Sequence, residues 1–284
     1  MTGLPIELVR EILSYSLDVD RIYSLGSNRH NRIDYNLYRI YGDRIGKYSD
    51  FNYYRRSSIE LGYRTVHRYS DISNDITEMH CNETNIIDVN RYNKLIRLHC
   101  NRTQIENVYN LINLLYLHCN HTRIRNVNEL INLRILHCNG SDIASVSELH
   151  NLIELRCNNT YIRDVSSLKN LRILHCSIPR GRSFERGNTS ISDVSALKSL
   201  RILHCDNTMI SDVSMLKNLK VLSCNNTMIS DVSTLKNLYK LYCSYTMISD
   251  VSKLSELQVL HCRNSYITDV SMLNKLYDII PDNI

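Results

Sequence analysis

The sequence carries ten cysteines but no CxxC pair and no closely set couple of any kind. A zinc knuckle or a small disulfide framework would cluster them, and the spacing excludes both. Tryptophan is absent and phenylalanine occurs twice, against nineteen tyrosines. There is no glycine-rich phosphate loop and no pair of acids at a useful spacing, so no catalytic constellation and no cofactor is expected. No apolar run approaches the roughly 20 residues that span a bilayer. The opening MTGLPIELVREIL lacks a basic segment followed by a long apolar one, so no signal peptide and no membrane role are expected; the expected location is intracellular and cytoplasmic. A formal net charge of +5 permits an acidic partner without demanding one.

What is present is a period. The cysteines fall at 81, 100, 119, 138, 157, 176, 205, 224, 243 and 262, every gap being 19 residues except one of 29. With cysteine at position 9 of the unit, residues 216–234 read LKNLKVLSCNNTMISDVST. Leucine holds positions 1, 4 and 7 in most copies, Thr or Ser holds 12, Ile holds 14 and Val holds 17. Six apolar positions cannot offset the entropy of ordering a lone unit, so the units must stack and bury one another's faces. Alternation around positions 6–10 predicts a short strand with 7 and 9 inward and 6, 8 and 10 exposed. Like strands then form one parallel sheet. The roughly fourteen residues left over are too few for a proper helix with two loops, so the back side is expected to be a capped 3₁₀ turn or an extended segment. So narrow a back side predicts weak curvature.

The hexapeptide LRILHC, at 133–138, 171–176 and 200–205, sets histidine beside cysteine. Neighbours on a strand point to opposite faces, so the pair cannot share a metal or act together within one unit. The cysteines are expected to be reduced core residues, because a parallel in-register column holds thiols side by side rather than at disulfide geometry. Position 8 holds His80, His99, His118, His137, Arg156, His175, His204, Ser223, Tyr242 and His261. Three readings of this column stand: copies of a neutral surface residue, a partner-binding face, or a transition-metal site. Neighbouring imidazoles supply two ligands where zinc wants three or four, and no metal is expected. On acidification the face is expected to become strongly positive.

The 29-residue gap holds an insertion at 177–186, SIPRGRSFER, in which Pro179 and Gly181 break regular structure and Arg180, Arg182, Phe184 and Arg186 offer a contact loop. At the other end, Leu276 and Ile279 occupy positions 4 and 7 of a truncated unit, and Pro281 stands where the cysteine should be. This marks residues 277–284 as a terminal cap.

The pattern LxxLxxLxCxxTxIxDVSx resembles the leucine-rich repeat, in the DVSxLxxL style of the short internalin-like classes. Two features depart from that family. The period of 19 lies just below the usual 20–29, and Thr stands where the family's ladder-forming Asn would be. Either that Thr or the Asn frequent at position 10 could form a ladder. Residues 73–276 thus read as a solenoid of ten repeats, and 49–72 as linker and N-terminal cap. Residues 1–48 follow no such period. Pro5 suits a first helical turn, and Leu8, Val9, Ile12 and Leu13 share one helix face. The opening LPIELVREIL and its sequel resemble an F-box, without the tryptophan often found in its third helix. The whole resembles the F-box/leucine-rich-repeat proteins of large AT-rich DNA viruses, mimivirus-like ones in particular. The abundance of Asn, Ile and Tyr suits an AT-rich source.

That resemblance implies a non-enzymatic scaffold: a small α-helical N-terminal module docking on a Skp-type adaptor through Leu4, Pro5, Leu8, Val9, Ile12 and Leu13, and repeats holding a protein substrate of an SCF-type ubiquitin ligase. The same helices could instead merely cap the first repeat. A nucleic-acid-binding solenoid is the rival reading, resting on His, Arg and Tyr of the sheet face and on Lys169, Lys198, Lys217 and Lys236 behind it. Asp164, Asp193, Asp212 and their successors run beside those lysines and spoil a clean phosphate track. A viral interaction protein with no ubiquitin link is the third.

Overall fold

The computed structural model describes residues 58–60, 74–179 and 191–280. The chain divides into two units, 1–54 and 55–284, and all of the described residues lie in the second. The segment read as F-box-like, with the six residues expected to contact an adaptor, therefore lies outside them, as do Arg180, Arg182, Phe184 and Arg186 of the insertion.

Twelve three-residue strands run from β1 (Ser58–Glu60) and β2 (Glu78–His80) through β3 (Arg97–His99), β4 (Tyr116–His118), β5 (Ile135–His137), β6 (Glu154–Arg156), β7 (Ile173–His175), β8 (Ile202–His204), β9 (Val221–Ser223), β10 (Lys240–Tyr242) and β11 (Val259–His261) to β12 (Asp278–Ile280). They form one sheet in strict chain order. Every pairing is parallel and in register, position 7 facing position 7, as Leu136 faces Leu155. The fold is an all-parallel β-solenoid. Its sheet begins one strand before the ten cysteine-bearing units, in the stretch read as linker and cap, and the truncated eleventh unit contributes β12.

The interior coils bury the six apolar columns of the sequence pattern, and in the last full coil Val270 is only partly buried. In one coil Leu149, Leu152, Leu155, Cys157, Ile162 and Val165 are all buried. No helix occurs among the described residues. The back side is two successive turns: in the coil at 108–114, Leu111 N–H donates to Val108 O and Leu114 N–H donates to Leu111 O, both at 3.0 Å. Asp at position 16 opens these turns by accepting the N–H two residues on, as Asp231 Oδ1 does from Ser233 at 2.8 Å. The expected capped turn is thus present, as β-turns with an extended stretch before them.

Two asparagine ladders stitch coil to coil. At position 10, Asn82 Oδ1 accepts Asn101 N–H, and the series continues Asn101–Asn120, Asn120–Asn139 and Asn139–Asn158, with distances of 2.7–2.9 Å. Ser177 and then Asp206 take over the acceptor role, Asp206 Oδ1 binding Asn225 N–H at 2.7 Å. This settles the choice between the two candidate ladders: threonine at position 12 turns inward on its own coil, as Thr103 Oγ1 donates to Cys100 O at 2.8 Å. A second ladder on the back was not anticipated. Asparagines at position 3 donate to the carbonyl 20 residues earlier, as Asn151 does to Ile131 O at 3.0 Å and Asn237 does to Lys217 O at 2.9 Å. The asparagine enrichment of the sequence is in large part the satisfaction of backbone groups that short strands leave open.

After the ladder asparagine the chain turns sharply. Position 11 has positive φ in nine coils, the insertion-bearing coil with Ile178 being the exception, yet only Gly140 is glycine; Asn159, Asn207, Asn226 and Asn264 take the residue that best tolerates this region, and Arg102 (φ 56°) does not. Arg102→Asn should therefore raise the unfolding free energy by about 0.5–1 kcal/mol. A urea midpoint that falls would show that its exposed pairing with Glu83 at 3.4 Å outweighs the backbone gain.

Candidate interaction face

The sheet's outer face carries positions 6, 8 and 10. The opposite-face rule holds throughout: all ten cysteines are free and buried, while the position-8 side chains lie on the other side of the sheet. Burial raises the Cys81, Cys119 and Cys157 thiols to about 12 and those of Cys100, Cys138, Cys176, Cys205, Cys224 and Cys243 well above their ordinary value, which disfavours a thiolate at these nine positions.

The expectation that positions 6, 8 and 10 are exposed needs correction. Ile202, Val221 and Val259 at position 6 are buried, and His137 at position 8 is only 8% exposed. Strands about 4.8 Å apart place like side chains in van der Waals contact, so each covers its neighbours. The imidazoles stack: His80 on His99 at 4.3 Å between ring centroids, His99 against His118 at 4.4 Å, and His118 on His137 at 4.1 Å. A second run, His175 on His204 at 4.3 Å, follows beyond β6.

Between the two runs lies a charged centre. Glu154 Oε1 receives both His137 Nε2 and Arg156 Nε at 2.8 Å, with every one of these side chains about nine-tenths buried. Burial by itself would raise the Glu154 carboxyl; the His137 hydrogen bond and the charges of His137 and Arg156 outweigh it and bring the carboxyl down to about 2. Glu154 was missed in the sequence, although a position-6 acid two residues from Arg156 must share its face. Toward the N-terminal end, Glu78 binds His80 at 2.8 Å and Arg97 at 3.7 Å, and the Arg97 guanidinium lies over the Tyr116 ring.

Four of the column's histidines, His99, His118, His175 and His204, resist protonation. Burial, then the neighbouring His80, lowers His99 from 6.5 to about 3. Burial and adjacent imidazoles hold His118 and His175 well below the ordinary value, and burial lowers His204. These four rings are thus neutral near neutrality. At these four positions the expected positive charge on acidification gives way to a resistance to charging.

Glu78, His80 and His99 bring ligand-type atoms within 4.8 Å of one another. The His80 and His99 planes differ by only 6°, so their in-plane lone pairs run side by side and do not converge on one ion. The described residues hold no catalytic constellation either. Toward the C-terminal end, Ile178, Asp206, Tyr242, Tyr245, His261 and Arg263 line an open depression of about 570 Å³. Tyr242 meets His261 edge-on at 4.8 Å, and Ser223 Oγ donates to Asp206 Oδ1 at 2.8 Å. Of the sequence-derived face, Tyr242 and His261 border this depression; the six other histidines form the two stacked runs, with Arg156 between them. Asp206, Tyr245 and Arg263 were missed, Asp206 because it stands at the ladder position.

Comparison with solved structures places this architecture. The functional domain of InlJ from Listeria monocytogenes, described as including a cysteine ladder, superposes with a TM-score of 0.68 at 25% identity over 79% of this chain and 53% of that one. The fold resembles the internalin-type leucine-rich repeats. Internalin C2 of the same organism matches with a TM-score of 0.50 at 24% identity over 61% of this chain and 82% of that one. YopM from Yersinia enterocolitica matches with a TM-score of 0.56 at 16% identity over 75% and 47%. The chain thus spans about half the length of the InlJ domain. No family model and no curated protein matches the sequence. No helix among the described residues is long and apolar enough to cross a membrane.

Proposed function

We propose that the chain is a non-enzymatic protein-interaction scaffold whose sheet face receives a protein partner. The observation that carries this reading is the preorganised face itself. Its stacked imidazoles, the buried Glu154–Arg156 pair and the tyrosine-lined depression at its C-terminal end are held on a rigid parallel sheet, so little side-chain entropy remains to be lost on binding. A protein partner suits this face better than nucleic acid, because Arg156 is engaged by Glu154 and Arg97 by Glu78 and Tyr116, leaving those guanidiniums occupied.

The finer reading is a substrate receptor of an SCF-type ubiquitin ligase, with residues 1–48 docking on a Skp-type adaptor. It is supported by the LPIELVREIL opening and the repeat array that follows it. In the full-length chain, Leu8→Asp with Ile12→Asp should abolish capture of a purified Skp-type adaptor while the thermal transition of the repeats stays in place. Failure of the unaltered chain to bind any such adaptor would remove the ubiquitin link and leave the scaffold reading, viral or otherwise, on the sheet face alone.

A further inference from the structure

Position 13 follows the left-handed turn and points away from the core. In the first four coils it is polar, Asn85, Gln104, Arg123 and Asp142, and in the fifth it is the exposed Tyr161. In four consecutive late coils it is Met209, Met228, Met247 and Tyr266, each 63–64% exposed. In-register stacking sets them in one column with a rung spacing of about 4.8 Å, so the stripe is about 14 Å long. Large apolar side chains so exposed and so contiguous are unusual where single ones are ordinary.

A row of opposite character accompanies the stripe. Three residues further along each coil stand Asp212, Asp231, Asp250 and Asp269, exposed. The intervening stretch is extended, so the row lies about 10 Å from the stripe. Hydrogen bonds from Ser233, Ser252 and Ser271 hold the Asp231, Asp250 and Asp269 carboxyls below the ordinary range and keep them ionised. Within positions 13 to 19 of these four coils Lys253, set near Asp231 and Asp250, is the one basic residue; the exposed Lys217 and Lys236 stand five residues beyond Asp212 and Asp231, further along the coil from the stripe.

We propose that this edge of the solenoid, distinct from the sheet face, binds a basic amphipathic helix: apolar residues on Met209, Met228, Met247 and Tyr266, and Lys or Arg on the aspartate row. Charge complementarity selects a basic partner. Geometry selects a helix, whose one-face anchors recur about every 5.4 Å, close to the rung spacing, whereas a strand's recur about every 6.8 Å. A helix about 10 Å across also bridges stripe and row. Unbranched, polarizable methionines conform to varied apolar side chains, so the edge accepts a class of helices more readily than one sequence. The inference is independent of what binds the sheet face.

The test uses the full chain and three synthetic peptides: a leucine–lysine amphipathic helix, the same composition shuffled to destroy amphipathicity, and a leucine–glutamate counterpart. Fluorescence anisotropy should show binding of the first alone. Met209→Gln with Met228→Gln and Met247→Gln should weaken it about tenfold or more. Asp231→Asn with Asp250→Asn and Asp269→Asn keeps an acceptor for each turn and should weaken binding while flattening its salt dependence. Arg123→Gln, in the same column of an early coil, should change nothing. Unaltered binding in the methionine variant, equal binding of the glutamate peptide, or a concentration-dependent dimer that the methionine variant abolishes would each overturn the proposal, the last by giving the stripe to a second copy.

Discussion

Leu155→Ala in the middle of the sheet should lower the unfolding free energy by about 2–5 kcal/mol. Leu155 is fully buried at the inward position of β6, with Leu136 and Leu174 on the adjacent strands. Removing its isopropyl group opens a void that three coils share. Because each coil touches only its neighbours, the loss should be local in character even where it is large in size. Amide exchange should accelerate most in β5–β7 and least in β2 and β11. The same truncation at Ile279 of β12, which is 37% exposed, should cost less than about 1 kcal/mol. Urea denaturation of the two variants checks the contrast. Equal losses at the two sites would mean that burial in the column does not set stability.

Acid should destabilise the chain through the imidazole stack. His99 is ordinarily half-protonated near 6.5, but in the fold its value falls to about 3. Between these values the unfolded chain binds a proton that the folded chain refuses. Its contribution to stability is therefore complete above 6.5 and is lost as pH falls toward 3. Between pH 7 and pH 5 the loss from His99 alone is about 2 kcal/mol. His118, His175 and His204 are lowered in the same direction and steepen the slope. Glu154 acts in a lower window: its stabilisation is complete above its ordinary value and is lost as pH falls through about 2. Unfolding free energies measured at pH 7 and pH 5 should show the fall, and His99→Gln with His118→Gln should flatten it. A wild-type chain equally stable at both values would contradict the neutral stack.

The repeat was legible because one residue type marks it. Cysteine at position 9 fixed the register, and strand alternation then sent thiols inward and imidazoles outward without further information. The extent of burial was not legible. A two-fold alternation distinguishes the faces of one strand but is silent on how strands 4.8 Å apart cover each other, so His137 and Val221 read as exposed and are buried. The back-side turns followed from the length left over. The ladder was ambiguous because Thr and Asn at positions 12 and 10 have similar hydrogen-bonding capacity, and only the turn at position 11 decides which of them reaches the next coil. Glu154 went unnoticed because position 6 varies too much to carry a pattern, as Glu78, Arg97, Tyr116 and Ile135 show, and Asp206 because a reading by consensus discards a departure from the ladder asparagines.

Thiol reactivity tests the inward cysteine column most directly. An aromatic disulfide reagent added to the native chain should leave every cysteine unreacted except the marginally exposed Cys262 in the last full coil, while the chain in denaturant should release the signal of all ten. A chelator should make no difference. Prompt reaction of several interior thiols without denaturant, or protection that a chelator removes, would contradict it, the second by showing thiols and imidazoles gathered around a common ion.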